Sequence, residues 1–408
     1  MIVFYWGAED DHAGGVQNLI LNISKACKHY GVKIKIITYT TSFVYKAAVE
    51  QAIPFTFIDA RGDFAGQVNA DDTLICFGSL ELFLSLFVKT DASMIYWSVF
   101  PDTLVKTFQF KIPCIRNKFS KNNVLSRFFT KRLINQLHET SSAYFMDDSH
   151  LSVARHYYPS LPFTTENLLP IPIEIKQNFS PGLSKYSDKL KIGYMGRAED
   201  WKIYPFIKLV EDIKSLGQEY KIEICIISEN PNRYLSFMNE LNINYSGIKF
   251  KMVEGVSGNN LTELLQKEIH VLFSHGTSLL EACKTGVPAI IIDAGYTFLP
   301  SGYLYRFLYE EKGYCLGHAP WILKREYRGY PLIDLFDMIF GSQKQYEFHC
   351  RKSYEYALNN HELNKWTERL IDEVLPNARL KIKDLFWAYR LLSIKRFFYN
   401  VFKIFSKN

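Results

Sequence analysis

Three stretches of this sequence carry residue types whose spacing suits a phosphate-bearing ligand. The first, Tyr194–Lys202 (YMGRAEDWK), sets Arg197 just past one apolar run and Lys202 shortly before the next. An arginine fork with a lysine point charge suits a diphosphate whose negative charge grows as it departs. The second, Ser274–Asp293 (SHGTSLLEACKTGVPAIIID), offers the amides and hydroxyls of Gly276, Thr277 and Ser278 in a turn. Glu281 follows one helical turn later, placed to accept hydrogen bonds from sugar or ribose hydroxyls. The third, Gly7–Asn18 (GAEDDHAGGVQN), has Gly14 and Gly15 where a backbone can approach a ligand closely. Plainer readings compete at each place: paired glycines make turns, and charges at loop ends or on helices are commonly solvated surface.

The elements that must position these loops follow from hydrophobic periodicity. Ile2 to Trp6 reads as a strand, and Val16, Leu19, Ile20, Ile23, Ala26 and Cys27 draw one face of a helix that Gly31 ends. Val32, Ile34 and Ile36 then alternate with Lys33 and Lys35 as a second strand. The plan recurs: Leu190, Ile192 and Tyr194 lead to Gly196, and Phe206, Leu209, Val210, Ile213 and Leu216 form a helical face stopped by Gly217. Ile222, Ile224 and Ile226 alternate after it. Two doubly wound α/β domains are the expected architecture. The second loop reads as a strand ending near Phe273, a turn, a short helix stopped by Gly286, and a buried strand over Ala289–Ile292. Between the halves, Glu166–Glu174 (ENLLPIPIE) is extended by Pro170 and Pro172. The expected bounds are an N-terminal domain over 1–168, a linker over 169–189, a C-terminal domain over 190–350, crossover helices over 351–378 and a basic tail over 379–408. No Gly-x-Gly-x-x-Gly fingerprint and no Gly-Lys-Ser/Thr phosphate loop is present, which argues against a dinucleotide oxidoreductase or a nucleoside triphosphatase.

The 408 residues, 48% hydrophobic and 22% charged, suffice for two sizeable cores and exclude a disordered or fibrous chain. Seven scattered cysteines without a Cys-x-x-Cys pair suggest neither a disulfide framework nor a cysteine zinc site, and no metal or resident cofactor is expected. The start lacks the pattern of a secretory signal, and the apolar stretch from Leu74 to Val88 is short and interrupted by Glu81. A cytoplasmic location is expected. Net charge is +6, unevenly spread: residues 101–135 and residues 379–408 each hold eight basic residues and one acidic, leaving the remainder net acidic. Both segments interleave aromatics, a mixture that suits an anionic membrane surface, with nucleic acid as the rival. At the C-terminus Leu385, Phe386, Tyr389, Leu391 and Leu392 can share a broad face, and Phe398, Phe402 and Phe405 continue an apolar stripe. A chain ending near Pro376 is expected to fold and to lose membrane binding.

Four segments in order, AGGVQNLILNISKACKHYGVKIKIIT, ENLLPIPIE, IGYMGRAEDWK and SLLEACKTGVPAII, resemble glycosyltransferases of the GT-B fold, specifically glycosyltransferase family 4, over about residues 1–295. The resemblance implies two Rossmann-like domains facing a cleft, a nucleotide-diphosphate-sugar donor held by the C-terminal domain and an acceptor taken by the N-terminal one. By motif, Gly14 and Gly15 would lie near the donor phosphate or sugar, Arg197 and Lys202 would neutralise the diphosphate, and Glu281 would bind the ribose. The family's earlier glutamate is missing, since Phe273 stands eight residues before Glu281. By the same resemblance Ser274, His275 and Gly276 would stand in that place, with His275 contacting sugar or phosphate. If the reaction inverts the anomeric centre it needs a general base, for which Asp10, Asp11, His12 and Asp102 are candidates. His150 and His156 read as ordinary helix surface. The implied activity is transfer of a sugar to a lipid-linked saccharide in envelope polysaccharide synthesis, O-antigen or capsule, on the inner face of the plasma membrane. A silent binding or scaffold subunit and a nucleotide-sugar epimerase are the alternatives.

Overall fold

The computed structural model describes the chain apart from residues 10–13, 109–123, 177–178, 180–188, 217–219, 321, 323–327 and 406–408, with backbone only at 124–125 and 398–405. Contacts divide it into Met1–Pro172 with Leu363–Asn408, and Ile173–Glu362.

The first unit is built on six parallel strands, β1 (Ile2–Tyr5), β2 (Ile34–Thr38), β3 (Thr56–Asp59), β4 (Thr73–Cys76), β5 (Ser93–Ser98) and β6 (Ala143–Phe145), in the order β3-β2-β1-β4-β5-β6. Its helices up to the second unit are α1 (Gly15–His29), α2 (Phe43–Glu50), α3 (Leu80–Phe87), α4 (Thr103–Lys106), α5 (Val124–Glu139) and α6 (Asp148–Tyr157). Central strands of a parallel sheet are covered on both faces, which is why Ile2, Val3 and Phe4 are all buried rather than alternating. The expected helical face of α1 is the buried one, and Gly31, at φ +68°, takes the left-handed conformation that turns the chain toward β2.

The second unit repeats the plan with β7 (Leu190–Met195), β8 (Ile222–Ser228), β9 (Lys249–Glu254), β10 (Val271–Ser274), β11 (Ala289–Ile291) and an antiparallel edge strand β12 (Arg306–Phe307), in the order β12-β11-β10-β7-β8-β9. Around it lie α7 (Asp200–Ser215), α8 (Asn232–Glu240), α9 (Gly258–Glu268), α10 (Thr277–Lys284), α11 (Leu332–Phe340) and α12 (Gln343–Asn360). The expected domain end at residue 350 falls inside α12. No glycine or proline interrupts that helix, and Tyr346, Cys350, Tyr354 and Ala357 keep burying one face of it in the second unit up to His361.

The chain then returns to the first unit through α13 (Leu363–Arg369), α14 (Leu375–Asn377) and α15 (Phe386–Phe405). This corrects the expectation of a separate tail over 379–408. The Met94 amide donates to the Leu380 carbonyl at 2.9 Å and the Ile382 amide to the Ala92 carbonyl at 3.0 Å. Leu385, Ala388 and Leu392 are fully buried on the narrow i, i+3, i+7 stripe of a packed helix, whereas Phe386, included in the expected face, is 45% exposed. Trp387 stacks on Phe108 at 5.8 Å with Arg132 over its ring at 4.3 Å, and Lys395 and Arg396 both answer Glu81 on α3. Burying Leu380, Ile382, Leu385 and Leu392 at about 1.5–3 kcal/mol each is comparable to a domain's whole net stability of about 5–15 kcal/mol. Among the described residues no helix is long and apolar enough to cross a membrane. Most of the first basic segment, and the side chains of Phe398, Phe402 and Phe405, lie outside the described residues.

Candidate active site in the C-terminal unit

In the second sheet, successive strands β7, β8, β9 step one way and β10, β11, β12 the other, so a crevice opens beyond the carboxyl ends of β7 and β10. Pairing sets Tyr194 opposite Phe273, and one residue on Ser274 Oγ donates to the Met195 carbonyl at 2.6 Å, tying the two strand ends together. The loops beyond are the two that sequence singled out.

Past β7, the buried Tyr234 hydroxyl donates to the carbonyls of Arg197 (3.0 Å) and Gly196 (3.3 Å) and holds the turn. Pro205 sits within α7 and has no amide for the carbonyl four residues back. That carbonyl, of Trp201, accepts instead from the Gly295 amide at 2.9 Å, so the first turn of α7 is fastened to the loop after β11. The Tyr194 hydroxyl donates to the Lys202 carbonyl at 2.6 Å. Lys202 itself folds back over the strand end: a Cβ on Gly196 would lie 2.3 Å from its Nζ, so glycine is required there.

Lys202 is 8% exposed, lies 5.2 Å from the Trp201 ring, and has no carboxylate within ion-pair distance among the described residues. Burial, with Arg197 nearby, lowers its pKa to about 8. His275 packs against Trp201 with ring centres 4.9 Å apart and planes tilted by 49°, and is 7% exposed, with neither ring nitrogen in a hydrogen bond of normal geometry. Burial and the Lys202 charge hold its pKa well below the usual value, outweighing the Ile292 backbone, so the ring is neutral near pH 7. Next to it Gly276, at φ +72° and ψ −154°, occupies a region open essentially to glycine alone, and its amide donates to the Leu316 carbonyl at 2.7 Å. Helix α10 therefore begins with no side-chain cap, and the half-buried Thr277 and Ser278 make no side-chain hydrogen bond among the described residues. A buried ammonium without a counter-ion beside uncapped helix amides and an unpartnered neutral imidazole is a place short of negative charge. It suits an anion with several oxygens.

Arg197 is placed differently from Lys202. It is exposed and lines an adjoining groove of about 230 Å³ beyond β7 and β8 with Ala198, Glu199, Glu229, Asn230 and Arg233. Glu281 lies one turn into α10, partly exposed and ion-paired with Lys284 at 2.5 Å. In the first unit Gly14 stands at the N-terminus of α1, but the space a Cβ would fill there is taken by the Gln17 amide at 2.3 Å, so its close approach is to its own helix. Gly15 opens α1 and is exposed. Of the expected bases, Asp102 is ion-paired with Lys106, and Asp10, Asp11 and His12 lie outside the described residues. Phe273 is fully buried in β10, so no carboxylate enters from that position. His156 is exposed as expected, but His150 is not helix surface: it is buried and its Nδ1 lies 2.7 Å from Asp147, the residue that caps α6. Sequence reasoning missed Trp201, Tyr234, Leu316 and the Glu229–Arg233 rim; only Pro205, leaving the Trp201 carbonyl without a helical donor, gave a local sign.

No protein-family profile matches the chain, and no curated protein sequence matches it. Among solved structures it is similar to a glycosyltransferase from Rickettsia africae, at 14% identity and TM-score 0.56 over 92% of this chain and 98% of that one. It is similar also to HepE from Anabaena, solved with UDP and glucose, at 10% identity and TM-score 0.54 over 91% and 98%. A third, WaaG, a glycosyltransferase involved in lipopolysaccharide biosynthesis, aligns at 12% identity and TM-score 0.50 over 92% and 99%. The fold is GT-B. Two parallel-dominated α/β units in one chain agree with that likeness along nearly the whole length.

Proposed function

We propose that this chain is a glycosyltransferase resembling family 4, moving a sugar from a nucleotide-diphosphate-sugar to a lipid-linked saccharide during O-antigen or capsule synthesis. The observation that carries this reading is the pairing of the unneutralised Lys202 with the uncapped start of α10 at the crevice beyond β7 and β10. A diphosphate supplies the missing negative charge, and the same groups stabilise the nucleoside diphosphate as it leaves. Arg197 meets the ligand from the groove side, Glu281 holds ribose, and neutral His275 contacts phosphate or sugar. The donor is a substrate, and HepE with UDP and glucose supports a UDP-sugar as the first to try.

The acceptor and the membrane rest on less. Exposed Phe128, Phe386, Ile394 and Phe397 stand among Arg127, Lys131, Arg390 and Arg396, a mixture that favours reversible, salt-sensitive attachment to an anionic inner membrane face. A silent nucleotide-binding subunit is the reading that Phe273 favours, because the carboxylate found there in family 4 is replaced by a buried ring. Incubating the protein with a panel of nucleotide-sugars and lipid-linked acceptors separates the two. Transfer or slow donor hydrolysis is expected; binding without turnover on every acceptor would leave the silent subunit, and binding of no nucleotide would sink both.

A further inference from the structure

Behind the His275 turn, a run of the chain that no expectation covered gathers three metal-ligating side chains. Glu311, Cys315 and His318 each offer one ligand atom, and these atoms lie within 4.8 Å of one another. His318 Nε2 is 3.7 Å from Cys315 Sγ and 3.7 Å from Glu311 Oε2. Ligands about 2.0–2.3 Å from a tetrahedral zinc ion are separated by roughly 3.3–3.6 Å, so two of the three edges need only a few tenths of an ångström.

The supporting contacts orient the carboxylate and the His318 backbone, while the Cys315 thiol makes a long contact to the Gly317 carbonyl at 3.5 Å and lies 3.5 Å from His318 Nδ1. Glu311 Oε1 is ion-paired with Arg306 Nε at 2.7 Å, which turns Oε2 toward His318. Arg306 is in turn paired with the buried Asp293 at 2.6 Å, and Asp293 accepts the His318 backbone amide at 2.8 Å, fixing the start of that ligand's side chain. Such outer contacts are what hold metal ligands in place. Charge also balances. Asp293, Arg306 and Glu311 sum to one negative charge; adding a divalent cation and losing the Cys315 thiol proton to solvent brings the cluster to neutrality. One thiolate, one imidazole and one carboxylate form a borderline-soft set with a fourth position for water, which favours zinc over magnesium or calcium.

We propose that Glu311, Cys315 and His318 bind one zinc-class divalent ion. Its place gives it a consequence. Leu316 accepts the Gly276 amide at 2.7 Å, and a Cβ on Gly317 would lie 3.0 Å from His275 Cβ, so the residues between two ligands are those that pack behind the His275–Gly276 turn. The ion braces that turn from outside. Sequence hid the cluster because its only short-range pattern is a single Cys-x-x-His with a glutamate four residues earlier.

The test is titration of the full-length, EDTA-treated protein with Co²⁺, followed by displacement with Zn²⁺. One cobalt per chain is expected, with a thiolate-to-cobalt absorption band in the near ultraviolet that zinc abolishes. Cys315→Ser should remove the band, and His318→Gln should keep it while weakening affinity at least about tenfold. Circular dichroism checks that each variant is folded. If Cys315→Ser fails to fold, His318→Gln decides alone. No stoichiometric band in the wild type, a band surviving Cys315→Ser, or unchanged affinity in His318→Gln would each overturn the assignment.

Discussion

The two units use one architecture, yet they cap their helices to different extents. In the first unit Ser42 caps α2 by accepting the Tyr45 amide at 3.3 Å, Ser79 caps α3 through Leu82 at 3.3 Å, and Asp147 caps α6 through His150 at 2.8 Å. In the second unit α7, α8, α9 and α10 all start without a side-chain cap bond, as α1 and α4 do in the first, while α12 is capped by Ser342 through the Gln345 amide. A capped start has committed its amides to its own chain, whereas an uncapped one keeps donors and a positive dipole end for something else. With Lys202 buried without a counter-ion at the same edge, the uncapped α7 and α10 support the second unit as the side for the proposed anionic donor. In that sense α2, α3 and α6 of the first unit are finished for stability, and α7 and α10 at the crevice of the second are left unfinished.

The largest effect tests the finished half. A chain ending after Pro376 loses Leu380, Ile382, Leu385 and Leu392 from the first unit's core and should lose that unit's cooperative unfolding transition, read by fluorescence of the stacked Trp97 and Trp366. A chain ending after Phe397 removes none of these and should keep the transition. If the shorter chain unfolds at the wild-type midpoint, the C-terminal stretch is not core after all.

That stretch shows where sequence reading stops. Cations and aromatics interleaved over 379–408 describe a membrane patch and a packed amphipathic helix equally well, and what separates them is which turn of the helix faces the sheet. The strand–helix–strand units were legible because Ile2–Trp6 is a continuous apolar run, the following strands show apolar residues at every second position, and Gly31, Gly276 and Gly286 stand where positive φ is needed, although β2 is buried throughout with Lys35 paired to Asp72. The site was half legible. Lys202, His275 and the α10 turn are local in sequence, but their burial depends on Trp201, on Gly295 taking up the carbonyl that Pro205 leaves without a helical donor, and on Leu316 from the loop after β12. No spacing rule encodes those contacts. Arg197 and Lys202, five residues apart, read as one pair, yet the first lines an open groove and the second is enclosed.

The unfinished half makes the second prediction. Lys202 titrates near 10.5 when unfolded and about 8 when folded, so between those values the unfolded chain holds more protons and stability rises with pH. Below pH 8 the penalty is fully present, on the order of 3 kcal/mol at 1.36 kcal/mol per unit. Lys202→Met should therefore raise the unfolding midpoint of the ligand-free protein at pH 7 and flatten its rise above pH 8. The same change should cost transfer about 10²–10³-fold and abolish the fall in donor affinity expected of the wild type as pH passes 8. Thermal melts and nucleotide titrations from pH 6 to 10 measure both. A variant that is less stable than wild type, or that binds donor as well, would mean Lys202 already has its counter-charge within the chain.

The smallest effect separates a cap from a ligand group directly. Ser79→Ala removes an oxygen that satisfies a helix amide, and replacing such a cap costs about 0.5–2 kcal/mol. Nothing in the second unit depends on that oxygen, so nucleotide affinity should be unchanged. Thr277→Ala removes a hydroxyl of the same kind at the start of α10, but one with no hydrogen-bond partner among the described residues, so the folded state gives up almost nothing. If that hydroxyl meets a phosphate oxygen, a charge-assisted bond of about 1.5–3 kcal/mol is lost from the complex, roughly a tenfold or greater fall in affinity. The pair should thus behave oppositely, one losing stability and keeping binding, the other keeping stability and losing binding. Should Thr277→Ala melt early and bind normally, its hydroxyl is a structural cap like Ser79, and the contrast between the two units fails at the helix on which it chiefly rests.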